Sequence, residues 1–142
     1  VLPPASLYTS IIPNLLVDGI ADAIRESKAL KLYVCNVMTQ EGETEGYTVS
    51  DHIQALFSHS YPGLFRLCLT NSTPIPEVIA LRYAQEGAEP IRHDVEKCRA
   101  LGVELIDRPV AALENGLVRH NPGHLAHELM TIYEEYKPKD PA

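Results

Sequence analysis

The stretch Lys31–Leu56, KLYVCNVMTQEGETEGYTVSDHIQAL, constrains the fold more than any other part of the chain. A short apolar, partly β-branched segment leads into a dense polar loop and then into an amphipathic pattern, which reads as strand, loop and capped helix. Ligands of α/β folds gather at the carboxyl ends of strands, so function is sought at this junction. Lys31–Cys35 supplies the strand and Asn36 opens the loop. Between Met38 and Gly46 stand two Thr, one Gln, three Glu and two Gly, hydrogen-bonding groups on a permissive backbone. That composition fits a ligand loop or an ordinary surface loop. Thr48, with Asp51 three residues on, makes a capping-box pattern, and Ile53, Leu56 and Phe57 follow at helical spacing.

The same period recurs downstream. Leu64–Leu69 reads as a second strand closed by Thr70-Asn71-Ser72, and Pro74 and Pro76 precede a helix over Glu77–Gln85 with Val78, Leu81 and Ala84 on one face. Pro90-Ile91 reads as a short strand, Asp94 as the cap of a helix reaching Leu101, and Val103–Ile106 as a further strand. Strands apolar on both faces, alternating with helices, imply parallel pairing with right-handed crossovers. The expected class is therefore α/β, a Rossmann-like three-layer αβα arrangement with a mainly parallel sheet. Asn36, Thr70 and Asn71 would then share one sheet edge.

Before the central stretch, Pro13 is expected to interrupt a short helix. Leu15, Leu16 and Val17 read as core, and Asp18 as the cap of a helix with Ile20, Ala23 and Ile24 turned inward. Beyond β-like Val110–Leu113, the turn Glu114-Asn115-Gly116 before Leu117-Val118 is a hairpin signature, expected to add antiparallel strands at the sheet edge. Asn121 and Pro122 start a last helix through Leu125, Leu129 and Ile132, ending near Pro138.

A net charge of -7 over 142 residues, with no Lys/Arg cluster, argues against nucleic acid as a partner. No run approaches the ~20 apolar residues of a membrane helix, so no membrane partner is expected and the reading is cytoplasmic. Homo-oligomerisation is left open. Cys35, Cys68 and Cys98 are odd in number, lack CxxC spacing and read as reduced, structural residues.

Few groups suit a phosphorylated small molecule. Ser6, Tyr8, Thr9 and Ser10 offer hydroxyls for a sugar or phosphate, or for capping a helix. Arg119 precedes the Asn121-Pro122 helix start, where a guanidinium and a helix dipole act together on a pyrophosphate. Arg92-His93 reads as a solvated pair. His124, His127 and Glu128 match neither HExxH nor HxxEH, and no metal site is assigned.

The strings SLYTSIIPNLLV and NVMTQEGETEGYTVSDHIQAL resemble the gluconeogenesis factor family, the YvcK-like proteins related to 2-phospho-L-lactate transferase. The resemblance covers the chain up to its last helix, and the Met-Thr-Gln-x-Gly-Glu-Thr run with Ser-Asp-His is specific. It implies that residues 1–142 are a single α/β domain or the carboxyl-terminal half of a larger nucleotide-sugar-binding domain. An amino-terminal half with a Gly-rich nucleotide-binding unit would then be its partner.

The resemblance also implies a ligand such as UDP-N-acetylglucosamine, bound by Asn36, Thr39, Gln40 and Glu43 together with Ser6, Tyr8, Thr9, Ser10 and Arg119. The role it implies is regulatory, in carbon metabolism, cell shape or envelope synthesis, with no catalytic residue assigned. The alternative is a phospholactyl transferase using a guanylyl-activated donor and a deazaflavin precursor, with Mg²⁺ held by Glu41, Glu43, Glu45 and Asp51. Two positions depart from the family pattern. Glu41 stands in place of a proline, and Pro3-Pro4-Ala5-Ser6 in place of Gly-Pro-Gly-Ser, and prolines offer no amide hydrogens to an anion.

Overall fold

Side chains alternate along a strand, so Leu32 and Val34 face one side of a sheet and Tyr33 the other; all three are buried. The computed structural model describes residues 1–138. In it β1 (Leu32–Val34), β2 (Leu67–Asn71) and β3 (Glu104–Arg108) form a parallel sheet in that order. Leu2 adds a bridge on the far side of β1, its amide donating to the Leu32 carbonyl at 2.8 Å. The helices are α1 (Ile12–Leu15), α2 (Ile20–Glu26), α3 (Val49–Ser58), α4 (Glu77–Gln85), α5 (Val95–Ala100) and α6 (Pro122–Tyr136). A π-helical turn, Leu7–Ile11, runs directly into α1.

The two faces of the sheet are covered by different helices. Tyr33, Cys35 and Cys68 pack against Leu7, Ile11, Ile12 and Leu15 of the first helical run, against Val49, Ile53, Leu56 and Phe57 of α3, and against Cys98 of α5. On the other face Leu32, Val34, Leu67, Leu69 and Ile106 meet Val110 and Ile132, with Leu125 and Leu129 of α6 beside them. This is the expected three-layer αβα order. A fully buried aliphatic side chain contributes about 1.5–3 kcal/mol. The α3 layer therefore holds the sheet more firmly than α6, in which Ile132 alone is fully buried. All three cysteines are free and buried, and among the described residues no single helix is long and apolar enough to cross a membrane.

Several local expectations are corrected. Pro13 does not break the first helix: it sits at the start of α1, just after the π-helical turn in which the Ile11 amide reaches back to the Ser6 carbonyl. The wider turn shifts the hydrogen-bond register where proline lacks a donor. Leu15 is core, but Leu16 and Val17 are exposed, at 60% and 54%. Gly19 at φ 87°, rather than Asp18, starts α2 without a side-chain cap, a backbone angle that glycine adopts at little cost. Ala23 and Ile20 are exposed and only Ile24 packs against the core. On α4, Val78 and Leu81 are likewise exposed and no residue of that helix is fully buried.

The hairpin forms with β4 (Ala111–Glu114) and β5 (Leu117–His120) around Asn115-Gly116, yet it makes its own two-stranded sheet instead of extending the main one. Asn71 is the physical reason. Its Oδ1 accepts the amides of Thr73, Val110 and Ala111 at 3.0, 3.3 and 3.0 Å, which turns the chain over the end of β2 and away from β3. From the far side, Val118 donates its amide to the Tyr83 hydroxyl of α4 at 2.8 Å.

Candidate functional site

Parallel β1, β2 and β3 bring their carboxyl ends to one edge, and the polar residues collect there. Asn36 leaves β1 and donates from Nδ2 to the Ala5 carbonyl at 2.8 Å, which ties the first turn to the central strand. Ser6 Oγ donates to Gln40 Oε1 at 2.8 Å. Tyr8 donates its amide to Glu43 Oε1 at 2.5 Å, a carboxylate placed at the start of a helical run where positive dipole is concentrated. The central loop and the Ser6–Ser10 segment thus meet, as expected, through Gln40 and Glu43.

Thr39, named with Gln40 and Glu43 among the ligand residues, is held inside the loop. It is 4% exposed because its Oγ1 accepts the Glu89 amide at 2.9 Å while its own amide donates to the Glu89 carbonyl at 2.8 Å. Thr44, also buried, accepts the Gln40 amide at 2.9 Å. A polar loop of this density satisfies itself: Glu45 takes the Gly42 amide and Asp51 closes the Thr48 capping box. Thr9 and Ser10 are exposed, and the Ser10 carbonyl accepts from Asn14 Nδ2 at 2.7 Å.

Beneath this loop lies an aromatic cluster. Tyr8 and Tyr47 share a hydroxyl–hydroxyl bond of 2.8 Å, and the Tyr8 phenol is pushed up to about 12 by that bond and by burial. Tyr47 stands edge-on to His52. His52 is fully buried, and its Nδ1 lies 2.8 Å from the Thr48 carbonyl, which can only accept, so Nδ1 carries the proton. Burial lowers its pKa despite that bond, and the ring is neutral. Asp94, read as the cap of its own helix, instead serves the start of α3. It accepts Thr48 Oγ1 at 2.7 Å, the Ser50 amide at 2.9 Å and the Ser50 hydroxyl. Burial pushes the Asp94 pKa up, but the Ser50 and Thr48 hydroxyls outweigh it and hold it below the ordinary carboxylate value.

Arg119 stands apart from these residues. It lies exposed on β5, and its side chain has no hydrogen bond or ion pair among the described residues. Two positions on, Asn121 caps α6 by accepting the His124 amide at 3.1 Å. His120, next to Arg119, turns inward toward the Cys35 backbone, and burial lowers its pKa.

The carboxylates proposed for Mg²⁺ are each engaged elsewhere: Glu43 by Tyr8, Glu45 by Gly42, Asp51 by Thr48. Glu41 packs its side chain against Gly87. Among the described residues no cluster of three or more His, Cys, Asp or Glu is arranged to hold a metal ion. Residues that sequence reasoning did not place are Asp94, His52 and Asp107. The partners of Asp94 and Asp107 lie far along the chain, whereas His52 bonds Thr48 four residues back and is set apart by its burial.

A three-layer αβα arrangement on a parallel sheet, with polar loops gathered at its carboxyl edge, defines a Rossmann-like α/β protein. Its sequence agrees with one family over most of its length: the model described as 2-phospho-L-lactate transferase CofD matches residues 1–111, and the chain belongs to that family. Among curated relatives, a gluconeogenesis factor of Halalkalibacterium halodurans is 45% identical over 130 residues, 92% of this chain and 40% of that protein. That of Bacillus subtilis is 41% identical over 135 residues, 95% of this chain and 43% of that protein. A crystal structure of a UPF0052 family member from Bacillus halodurans superposes with a TM-score of 0.84 at 45% identity, covering 88% of this chain and 40% of that one. The chain therefore spans about two fifths of the length of these relatives.

Proposed function

We propose that this chain contributes the phosphate- and sugar-facing edge of a regulatory protein that binds a nucleotide sugar of the UDP-N-acetylglucosamine type. The observation that supports this reading is Arg119. In a chain of net charge -7, an arginine without a carboxylate partner among the described residues stands two positions before the capped start of α6. Guanidinium and helix dipole act there on the same anion, and the planar fork suits a diphosphate. The Ser6 and Tyr8 hydroxyls, the Asn36 and Gln40 side-chain amides and the Glu43 carboxylate gather beyond the end of β1, where Ser6 bonds Gln40, Tyr8 bonds Glu43 and Asn36 bonds Ala5. Relatives named gluconeogenesis factors support a role in carbon metabolism; roles in cell shape or envelope synthesis belong to the same proposal.

Isothermal titration of the full-length protein with UDP-N-acetylglucosamine tests it. Arg119→Ala is expected to weaken binding by about 1.5–3 kcal/mol, the range for a hydrogen bond to a charged group, and Arg119→Lys to restore part of it. Unchanged affinity in the alanine variant removes Arg119 from the site.

The CofD family match favours a second reading, a phospholactyl transferase. That chemistry needs a metal-assisted phosphoryl site, to which Glu41, Glu43, Glu45 and Asp51 are the candidate contributors. Turnover of a guanylyl-activated donor with a deazaflavin precursor, in the presence of Mg²⁺, separates the two readings.

A further inference from the structure

Across the carboxyl edge from β1, three polar side chains meet without any assigned role. Thr70, near the end of β2, is 2% exposed and donates from Oγ1 to Asp107 Oδ1 at 2.9 Å. His93 Nδ1 lies 3.5 Å from that same oxygen. The strand register sets Thr70 directly opposite Asp107, so both side chains rise on one face of the sheet, the face that also carries Cys68 and Leu105. His93 reaches them because Pro90 bridges to Met38 and Ile91 donates its amide to the Val37 carbonyl, which fastens the 90–93 segment to the central loop.

Thr70 bonds this oxygen and His93 faces it. The Asp107 side chain keeps 51% of its surface exposed, and Oδ2 has no hydrogen-bond partner among the described residues. A carboxylate fixed on one oxygen and open on the other, at the carboxyl end of a parallel strand, is arranged to accept hydrogen bonds from hydroxyl groups. Acidic side chains take the hydroxyls of a sugar ring from such strand ends in Rossmann-like folds. A phosphate would be repelled there, so this position selects the uncharged, hydroxyl-bearing part of a ligand.

We infer that Asp107, oriented by Thr70 and His93, is a recognition residue for adjacent hydroxyls of a sugar ring. This rests on the nucleotide-sugar reading and divides the edge into two parts, with the diphosphate toward Arg119 and hydroxyl groups toward β3. The ring is either the ribose of the nucleotide or the sugar attached to it.

Titrations of the full-length protein with UDP, 2′-deoxy-UDP and UDP-N-acetylglucosamine test the inference. Asp107→Asn keeps the shape of the side chain but exchanges half its acceptor character for a donor. It is expected to weaken UDP-N-acetylglucosamine about tenfold or more, the loss of one charge-assisted hydrogen bond. If the ribose is the ring, UDP weakens equally and 2′-deoxy-UDP, which keeps only the 3′-hydroxyl, is less sensitive to the substitution. If the attached sugar is the ring, UDP is unaffected. Thr70→Val, nearly isosteric, is expected to give a smaller loss with the same ligand pattern, and its thermal melt checks that the sheet is intact. Unchanged affinity for all three ligands in Asp107→Asn, while Arg119→Ala still loses affinity, overturns the sugar contact and leaves the nucleotide reading standing. Absence of binding by the unsubstituted protein overturns both.

Discussion

The loop after β1 and the hairpin after β3 both follow strands of the parallel sheet at its carboxyl side, yet they are built on opposite terms. Within the loop, Thr39, Thr44, Thr48, Glu43 and Asp51 are consumed by backbone amides and by one another, and two of the threonines are buried. On the hairpin, Arg119 is exposed and without a partner among the described residues. Leu113 and Leu117 are also exposed, at 39% and 44%. A high density of polar residues therefore marks a segment that holds itself rigid. The unengaged Arg119 is the group on which the proposed anion contact rests.

Substitutions sharpen that contrast. The largest effect is expected inside the self-satisfied region, at Asp94. Asp94→Ala leaves the Thr48 and Ser50 donors without their shared acceptor and is expected to cost about 2–3 kcal/mol in chemical denaturation. Because the folded Asp94 pKa is depressed, its contribution is complete above the ordinary carboxylate pKa of about 4 and is lost as pH falls through the folded value. Asp94→Asn should accordingly flatten the acid limb of the stability curve. A limb as steep as in the parent would assign that pH dependence to other carboxylates.

Thr39→Val comes next. Valine fills the same buried space but strands the Glu89 amide, and a loss of about 1–2 kcal/mol is expected; if the melt is unchanged, the loop is not pinned at Glu89. At the hairpin turn, Gly116 lies at φ 73° and a Cβ there would run into the Arg82 guanidinium. The arginine end can swing aside, so the cost of Gly116→Ala is mainly the left-handed backbone, about 1–2 kcal/mol. The smallest effect is expected at Arg119 itself, where Arg119→Ala should leave unliganded stability within about 0.5 kcal/mol. A larger fall would mean that the arginine is structural, and the contrast between the two regions would break.

What could be read from sequence was local. The Thr48–Asp51 capping box and the Asn115-Gly116 turn are set by residues three or fewer apart, and both form as expected. Leu32–Val34 and Leu67–Leu69 are apolar on both faces because both faces are covered, and they pair in parallel. What could not be read depended on distant partners. Thr39 is buried by Glu89, fifty positions on, and Asp94 serves Ser50, forty-four positions back. Leu16 and Val17 carry the same apolar signal as Leu15, and nothing in their spacing tells that α1 has already ended.

Asn71 also bears on the order in which the molecule assembles. Its carboxamide gathers an amide two residues away and two more at separations of 39 and 40 residues. Closing a loop of that length carries an entropic penalty which grows slowly with length but must be met before the contact can reward it. The α3 capping box and the first helical run need no such closure. The hairpin closes locally through Asn115-Gly116, but its docking at Asn71 needs that longer closure, so hydrogen exchange is expected to show this docking forming late and opening early.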